Sequence, residues 1–198
     1  MRGPVTPAPN ANRSRVLRAA TSAFLAHGYR SSVDQIARRA GVAKQTVYHH
    51  FPSKDLLFKD VARELARRVL IELEDAPRDL RDALIAFGEA YRARALGTQG
   101  IATFRTLVPE IPRFRALARA MYAASAGEMV RRLAQVIGRA MDEGRLRRED
   151  PRFAAELLLG MLVGHDRIKR LFGVALAEEG EPGRTARIVE CFLRAFQK

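Results

Sequence analysis

A polar run at positions 44–50 carries the side chains of this sequence that are best suited to a phosphate-rich partner. It contains Lys44, Gln45, Thr46, Tyr48, His49 and His50. A glutamine can form two hydrogen bonds with adenine, and a threonine methyl can contact the methyl group of thymine. Tyrosine and histidine are suited to hydrogen bonds with phosphate oxygens. The alternative interpretation is the solvated face of an ordinary surface helix.

Two short helices and a tight turn are predicted to position these side chains. The first helix has apolar residues at the spacing of one buried face: Val33, Ile36, Ala37 and Ala40. Ser32 is a good N-cap for it, and Gln35 completes a capping box. Gly41 ends this helix because glycine adopts the left-handed conformation without steric cost. The second helix turns Val47 inward, so residues 32–51 form a helix-turn-helix pattern.

Two lysines break a local rule of helix formation. Lys44 and Lys54 are each predicted in the first turn of a helix, where a cation opposes the helix dipole and is mildly unfavourable. A bound phosphate would make the lysine favourable at this position, since the phosphate interacts with both the lysine and the exposed N–H groups. The negative charge of Asp55 partly offsets the positive charge of Lys54, so the argument is weaker for Lys54 than for Lys44. Both positions therefore favour contact with phosphate.

The charge of the chain is strongly positive and unevenly distributed. The formal net charge is +13 over 198 residues, and 30 of the 35 basic residues are arginine. Codon bias of a GC-rich genome would explain the arginine total. It does not explain residues 1–58, which contain nine basic residues and two acids. This basic first third is typical of a protein with a nucleic-acid partner.

Composition and periodicity predict an all-α protein. The chain is 47% hydrophobic and 29% charged, and its apolar periodicity is helical throughout. We expect a flexible arm over 1–12, a first helix from Arg13 to His27, and about nine helices in total. A three-helix DNA-binding domain is predicted over 13–58 and a helical regulatory domain over 59–198. A long helix is predicted from about Arg113 to Glu143.

Several functional classes are disfavoured by what the sequence lacks. It has no metal-spaced His/Cys cluster, no nucleophile elbow and no glycine-rich phosphate loop, so we expect no enzyme, metal or cofactor. A single cysteine, Cys191, excludes a disulfide within the chain. The N-terminal residues do not resemble a signal peptide, and the apolar runs are too short to span a membrane. We therefore expect a cytoplasmic protein.

A run of residues from Val16 to Leu57 resembles the N-terminal domain of TetR-family transcriptional regulators. The matching positions are Gly28-Tyr29, Ile36-Ala37, Ala40-Gly41-Val42, Lys44-Gln45-Thr46-Val47-Tyr48, Phe51, Lys54 and Leu56-Leu57. The family pattern Tyr-x-x-Phe-x-x-Lys-x-x-Leu stands here as Tyr48, Phe51, Lys54 and Leu57. The resemblance implies DNA contacts at Lys44, Gln45 and Thr46 in the major groove. It implies phosphate contacts at Tyr48, at His49 or His50, at Lys54, and at Ser31 or Ser32.

The sequence departs from the family pattern in two places. The loop from Gly28 to Val33 looks one residue shorter than usual, which leaves open whether Ser31 or Ser32 reaches phosphate. Ala43 stands where the family usually has a serine cap, a loss worth about 1 kcal/mol for the second helix.

The second part of the chain resembles the family in its layout. The resemblance implies a ligand pocket among the predicted helices 5 to 7 and dimerisation through predicted helices 8 (151–172) and 9 (184–196). Gly160 and Gly164 lie four residues apart, which suits close approach of a partner helix or, equally, internal packing. The candidate pocket residues are Tyr91, Phe104, Met121, Tyr122, Met129 and His165. The alternative for most of them is plain core, and for His165 it is an interface position or a histidine with satisfied hydrogen bonds.

Together these features predict a dimeric repressor that reads a palindromic operator in double-stranded DNA. A small, largely apolar ligand would release it by changing the separation of the two reading helices. The alternative is a DNA-binding structural factor of the nucleoid without a small-molecule effector. The operator, the effector, the regulated genes and the choice between repression and activation are open from the sequence.

Overall fold

The computed structural model describes residues 9–74, 79–112, 115–176 and 183–197, which contain helices and no strand. The helices are α1 Pro9–His27, α2 Val33–Ala40, α3 Lys44–His50, α4 Lys54–Glu74, α5 Leu80–Leu96, α6 Thr98–Leu107, α7 Arg115–Tyr122, α8 Glu128–Asp142, α9 Pro151–Leu171 and α10 Arg184–Ala195. A π-helical turn, Ala123–Gly127, joins α7 to α8. In the described ranges the ten α-helices thus make nine continuous segments. The all-α prediction is confirmed.

The first helix starts earlier than the sequence pattern indicates. Helix α1 begins at Pro9, so the prediction of a flexible arm through residue 12 and of a helix start at Arg13 is wrong for 9–12. Proline is tolerated in the first helical turn because its missing N–H has no partner there in any case. Residues 1–8 of the predicted arm lie outside the described residues.

Capping signals predicted helix ends well. The Ser53 hydroxyl accepts a hydrogen bond from the Leu56 N–H at 3.1 Å at the start of α4. Asp150 caps α9 by accepting from the Arg152 N–H at 2.9 Å, with Pro151 as the first helical residue. These are local signals, because each involves residues two or three positions apart.

The long helix predicted over 113–143 contains a π-helical turn. Between α7 and α8 the backbone forms a π-helical turn of small residues, Ala123–Gly127. A Cβ at position 127 would lie 3.2 Å from the carbonyl oxygen of Tyr122 and 3.5 Å from its ring. Glycine therefore leaves room for the tyrosine beside the turn. Such turns are wider than an α-helix and are not visible in hydrophobic periodicity.

Contacts divide the chain into two compact units, residues 1–64 with 102–121 and residues 65–101 with 122–198. The core of the first unit is built from α1 to α4, and its buried side chains include Val16, Ala20, Phe24, Ile36, Val47, Phe51, Leu57, Phe58 and Val61. The ring of Phe24 meets that of Phe58 edge to face at 4.6 Å. The domain boundary expected after residue 58 stays a prediction.

The core of the second unit is formed by α5, α8, α9 and α10. Its most buried large side chains are Leu84, Phe87, Leu133, Ile137, Leu158, Leu162, Val189, Phe192 and Phe196. This apolar cluster agrees with the helical periodicity of the sequence, because each helix contributes residues at intervals of three or four.

An ion-pair network lies beside this apolar core. The Asp166 carboxylate on α9 forms ion pairs with two arginines. Nη2 of Arg92 on α5 lies 2.9 Å from it, and Nη2 of Arg184 on α10 lies 3.2 Å from it. Arg92 also donates to the carbonyl oxygen of Leu162. The side chains of Arg92 and Asp166 are each 6% exposed. Removing one partner of such a pair would leave a buried charge without compensation, so replacing Arg92 or Asp166 alone should be strongly destabilising.

Candidate DNA-binding surface

The turn between α2 and α3 fixes the position of the second helix. Gly41 has φ 63°. Its N–H donates a hydrogen bond to the carbonyl oxygen of Arg38 at 3.1 Å, and the N–H of Val42 donates to the carbonyl oxygen of Ala37 at 3.1 Å. These two bonds form the Schellman arrangement that closes many helices. At the other end of α2, Ser32 and Gln35 make the predicted capping box. Both ends of α2 are therefore as the sequence predicts.

One face of α3 is buried and the opposite one carries polar groups. Val47 and Phe51 are buried, whereas Tyr48 is 42% exposed. The α3 polar face comprises Lys44, Gln45, Thr46, Tyr48, His49 and His50. Among these, Thr46 and His50 are half-buried and the others are exposed. Helix α3 has no side-chain cap at Ala43, as expected from the missing serine.

Lys44 lies against a carboxylate that the sequence analysis did not consider. Its Nζ is 3.0 Å from Asp34 Oδ2, in the first turn of α2, and both side chains are more than half exposed. The hydrogen bond from Lys44 to Asp34 raises the pKa of the lysine. Exposed pairs of this kind add little to stability. The pair therefore neutralises and orients Lys44 on a surface that otherwise favours phosphate.

Lys54 has a different environment at the start of α4. Its Nζ lies over the ring of Tyr29, 4.2 Å from the centroid, and the Tyr29 hydroxyl donates to Asp55. Partial burial lowers the pKa of Lys54, and the nearby Asp55 carboxylate opposes this. Burial, followed by the hydrogen bond to Asp55, raises the pKa of Tyr29. The cation–π contact with Tyr29 thus holds the Lys54 ammonium group beside the start of α4.

The two serines before α2 differ in exposure. Ser31 is 2% exposed, and its hydroxyl donates to the carbonyls of Ala23 at 2.9 Å and Gly28 at 3.2 Å. Ser32 is exposed, and its hydroxyl accepts the N–H of Gln35 at 3.1 Å. A buried hydroxyl cannot reach a DNA backbone, so the geometry favours Ser32 for the phosphate contact that the sequence left open.

The six candidate pocket residues have varied surroundings within their own units. Tyr91 is half-buried and its ring stacks on Phe87, with centroids 5.9 Å apart. Met129 belongs to the buried core of the second unit. The remaining four are exposed or half-buried: Phe104, Met121, Tyr122 and His165. The burial of Met129 favours the core alternative for this residue, and the ligand pocket stays a prediction.

Within 9–74, 79–112, 115–176 and 183–197, no three His, Cys, Asp or Glu side chains form a group that could hold a metal ion. In the same residues no helix is long and apolar enough to cross a membrane. The adjacent rings of His49 and His50 lie 5.2 Å apart.

A helix-turn-helix that exposes the α3 polar face, in an all-α protein, is the architecture of a DNA-binding transcriptional regulator. Comparison with protein families gives the same class: residues 16–61 match the model of bacterial regulatory proteins of the tetR family. Residues 82–198 match the model of the C-terminal domain of AefR-like transcriptional repressors. The chain belongs to the TetR family.

Relatives and solved structures agree with this family. An HTH-type transcriptional regulator of Mycobacterium bovis is 36% identical over 116 residues, which are 58% of this chain and 55% of the relative. The chain thus spans about half the length of the curated relatives it matches. A TetR-family regulator from Mesorhizobium loti has a TM-score of 0.78 at 26% identity, covering 98% of this chain and 100% of that one. The flavonoid-responsive regulator FrrA has a TM-score of 0.74 at 29% identity, covering 95% and 98%.

Proposed function

We propose that this TetR-family regulator is a dimeric repressor that binds a palindromic operator and is released by a small, largely apolar molecule. The observation that carries the DNA part is the α3 polar face, held over buried Val47 in a closed helix-turn-helix. Members of the family bind DNA and typically form dimers. The AefR-like C-terminal match supports repression as the direction of control.

The proposed DNA contacts divide by chemistry. Lys44, Gln45 and Thr46 are assigned to base edges in the major groove, because they occupy the first turn of α3. Phosphate contacts are assigned to Tyr48, to His49 or His50, to Lys54 and to Ser32. Ser32 lies at the N-terminus of α2 and Lys54 at that of α4, and the positive end of the helix dipole at these places favours an anion.

The proposed dimer forms through α9 with α10 beside it. The exposed side of α9, the α9 apolar face, carries Phe153, Leu157, Gly160, Gly164 and Ile168 on one face of the helix. A Cβ added at either glycine would have nothing within 4 Å of it. The glycines are thus not needed for packing inside the protomer, and a second copy of α9 is the occupant that fits. Two reading helices related by a two-fold axis match a palindrome.

The proposed effector is small and largely apolar. FrrA, which shares the fold over nearly the whole chain, is named as a flavonoid-responsive regulator. The candidate pocket residues are mostly aromatic or methionine, and such side chains line many ligand sites. The proposed function requires that the effector bind one dimer geometry more tightly than the other. A ligand with equal affinity for both geometries would leave their populations unchanged.

Fluorescence anisotropy on the DNA just upstream of the protein's own gene tests the DNA part. We expect salt-dependent binding there that is at least roughly 1,000-fold tighter than to a random duplex of equal length. Equal affinity for both duplexes would support the structural-factor alternative instead. No binding to either would refute the proposed function.

Thermal shift against a panel of lipophilic compounds, beginning with flavonoids, tests the effector part. We expect at least one compound to raise the melting temperature and to displace the operator in the anisotropy assay. Stabilisation without displacement would contradict ligand-induced release, and no stabilisation by any compound would contradict an apolar effector.

A further inference from the structure

Four arginines line one cleft in the first unit, away from the residues assigned above. Arg15 and Arg18 extend from α1, and Arg38 and Arg39 from the last turn of α2. The rest of the lining is small or neutral: Ala19, Ser22, Ala40 and Gly41. The cleft has a volume of about 440 Å³, and its lining contains no carboxylate. We refer to it as the arginine cleft.

One of the four guanidinium groups is held in place by the helix-turn-helix itself. Arg15 Nη2 donates to the carbonyl of Gly41 at 3.0 Å, and Nη1 donates to Asn12 Oδ1 at 3.5 Å. A Cβ at position 41 would lie 2.6 Å from that Nη2. Glycine is favoured here by its positive φ, and the absence of a side chain leaves room for the guanidinium. The arginine is docked on the turn that leads into α3.

The helix dipole accounts for only part of this cluster. Arg38 and Arg39 lie in the last turn of α2, where cations interact favourably with the helix C-terminus. That reason does not apply to Arg15 and Arg18, which come from the opposite wall. Like charges that line one cleft repel each other, and a shared anion would turn the repulsion into attraction.

The chemistry of the cleft matches phosphate. Guanidinium groups form paired hydrogen bonds with phosphate oxygens, and they remain charged at any physiological pH. All four basic residues are arginine, so the cleft offers many planar donors around one small volume. We propose that the arginine cleft binds a phosphate group, either a DNA backbone phosphate beyond the α3 polar face or that of a small phosphorylated molecule. The assignment of the phosphate to DNA rests on the proposed function, whereas the proposal of a phosphate site does not.

The test compares two double variants of the full chain that lose the same charge. Arg38→Gln with Arg39→Gln alters the cleft and retains helix-forming side chains. Arg145→Gln with Arg148→Gln, on exposed positions after α8, is the matched control. Circular dichroism and melting temperature establish that both variants fold.

The first measurement is anisotropy on random duplex DNA between about 50 and 200 mM salt. If the cleft holds a DNA phosphate, its variant lowers the slope of log affinity against log salt by about one to two units, and the control leaves it nearly unchanged. The second measurement is calorimetric titration with inorganic pyrophosphate in the absence of DNA. Saturable binding that the cleft variant abolishes, with an unchanged salt slope, identifies a small phosphorylated ligand.

The proposal is overturned if the cleft variant equals the control in both measurements. A wild-type chain that fails to bind DNA would refute the proposed function, and the pyrophosphate titration would still decide whether the cleft is a phosphate site.

Discussion

Helices α3 and α9 each have one face that is exposed in the described part of the protomer, and the two faces differ in chemistry. The α3 polar face presents amide, hydroxyl, imidazole and ammonium groups over a buried valine. The α9 apolar face presents aromatic and aliphatic side chains around two glycines. A polar face is suited to a hydrated, charged surface, whereas an apolar face with small residues is suited to dry contact with another helix. The difference is consistent with the two partners proposed above, DNA for α3 and a second copy of the chain for α9.

The largest effect is expected from filling the α9 apolar face. Gly160→Leu with Gly164→Leu should abolish the dimer and retain the protomer fold, because added side chains meet open space in the protomer. Operator affinity should fall roughly 100-fold or more, since the two half-sites are no longer linked. Analytical ultracentrifugation and anisotropy measure both effects. Gln135→Leu, on the exposed side of α8, is the control, and a variant that remains dimeric would place the interface elsewhere.

A smaller, sequence-dependent effect is expected on the α3 polar face. Gln45→Ala should lower discrimination at one base pair by about 1–3 kcal/mol, because the amide is assigned to a base edge. Thr46→Ala should act at a neighbouring position, though its half-buried side chain offers less contact. Affinities for single-base variants of the operator measure this. A uniform loss on operator and random duplex would mean that these residues do not read bases.

Lys54→Ala should weaken binding to all duplexes alike. The salt slope should decrease by about one unit, because one phosphate contact is lost. Lys59→Ala, on the same helix, is the matched control and should leave the slope unchanged. Tyr29→Leu should give part of the Lys54→Ala effect, since the ring that positions the lysine is removed. A slope that Lys54→Ala leaves intact would remove this lysine from the interface.

The smallest effect, and one of opposite sign, is expected at Asp34. Asp34→Asn releases Lys44 from its ion pair and removes a negative charge from the DNA-facing side. Random duplex should bind severalfold more tightly, with a salt slope steeper by about one unit. Specificity for the operator should fall accordingly. If random-duplex affinity decreases instead, the carboxylate itself makes a favourable contact with DNA.

Sequence reasoning succeeded where the cause is local. The ends of α2 and α9 follow from Ser32, Gly41 and Asp150, because a cap acts on residues within one turn. The buried face of α3 follows from the spacing of Val47 and Phe51. The same local logic overestimated the arm before α1, because Pro9 can occupy the first turn of a helix.

Interactions across the fold could not be predicted in this way. Asp34 and Lys44 are ten positions apart, and only the turn at Gly41 brings them together. Ser31 and Ser32 look equivalent in sequence, and their difference in burial depends on the Ala23 carbonyl of α1. Arg92 and Asp166 are separated by 74 positions. The hydrophobic periodicity of the sequence cannot predict such pairs, because they depend on how the helices pack against each other.

The Asp166 carboxylate between Arg92 and Arg184 has a thermal consequence. The cost of removing charged groups from water decreases on heating, because ion hydration has a strongly negative entropy. Hydrophobic stabilisation per unit area levels off over the same range. As temperature rises, this ionic junction therefore accounts for a growing share of what holds α5, α9 and α10 together.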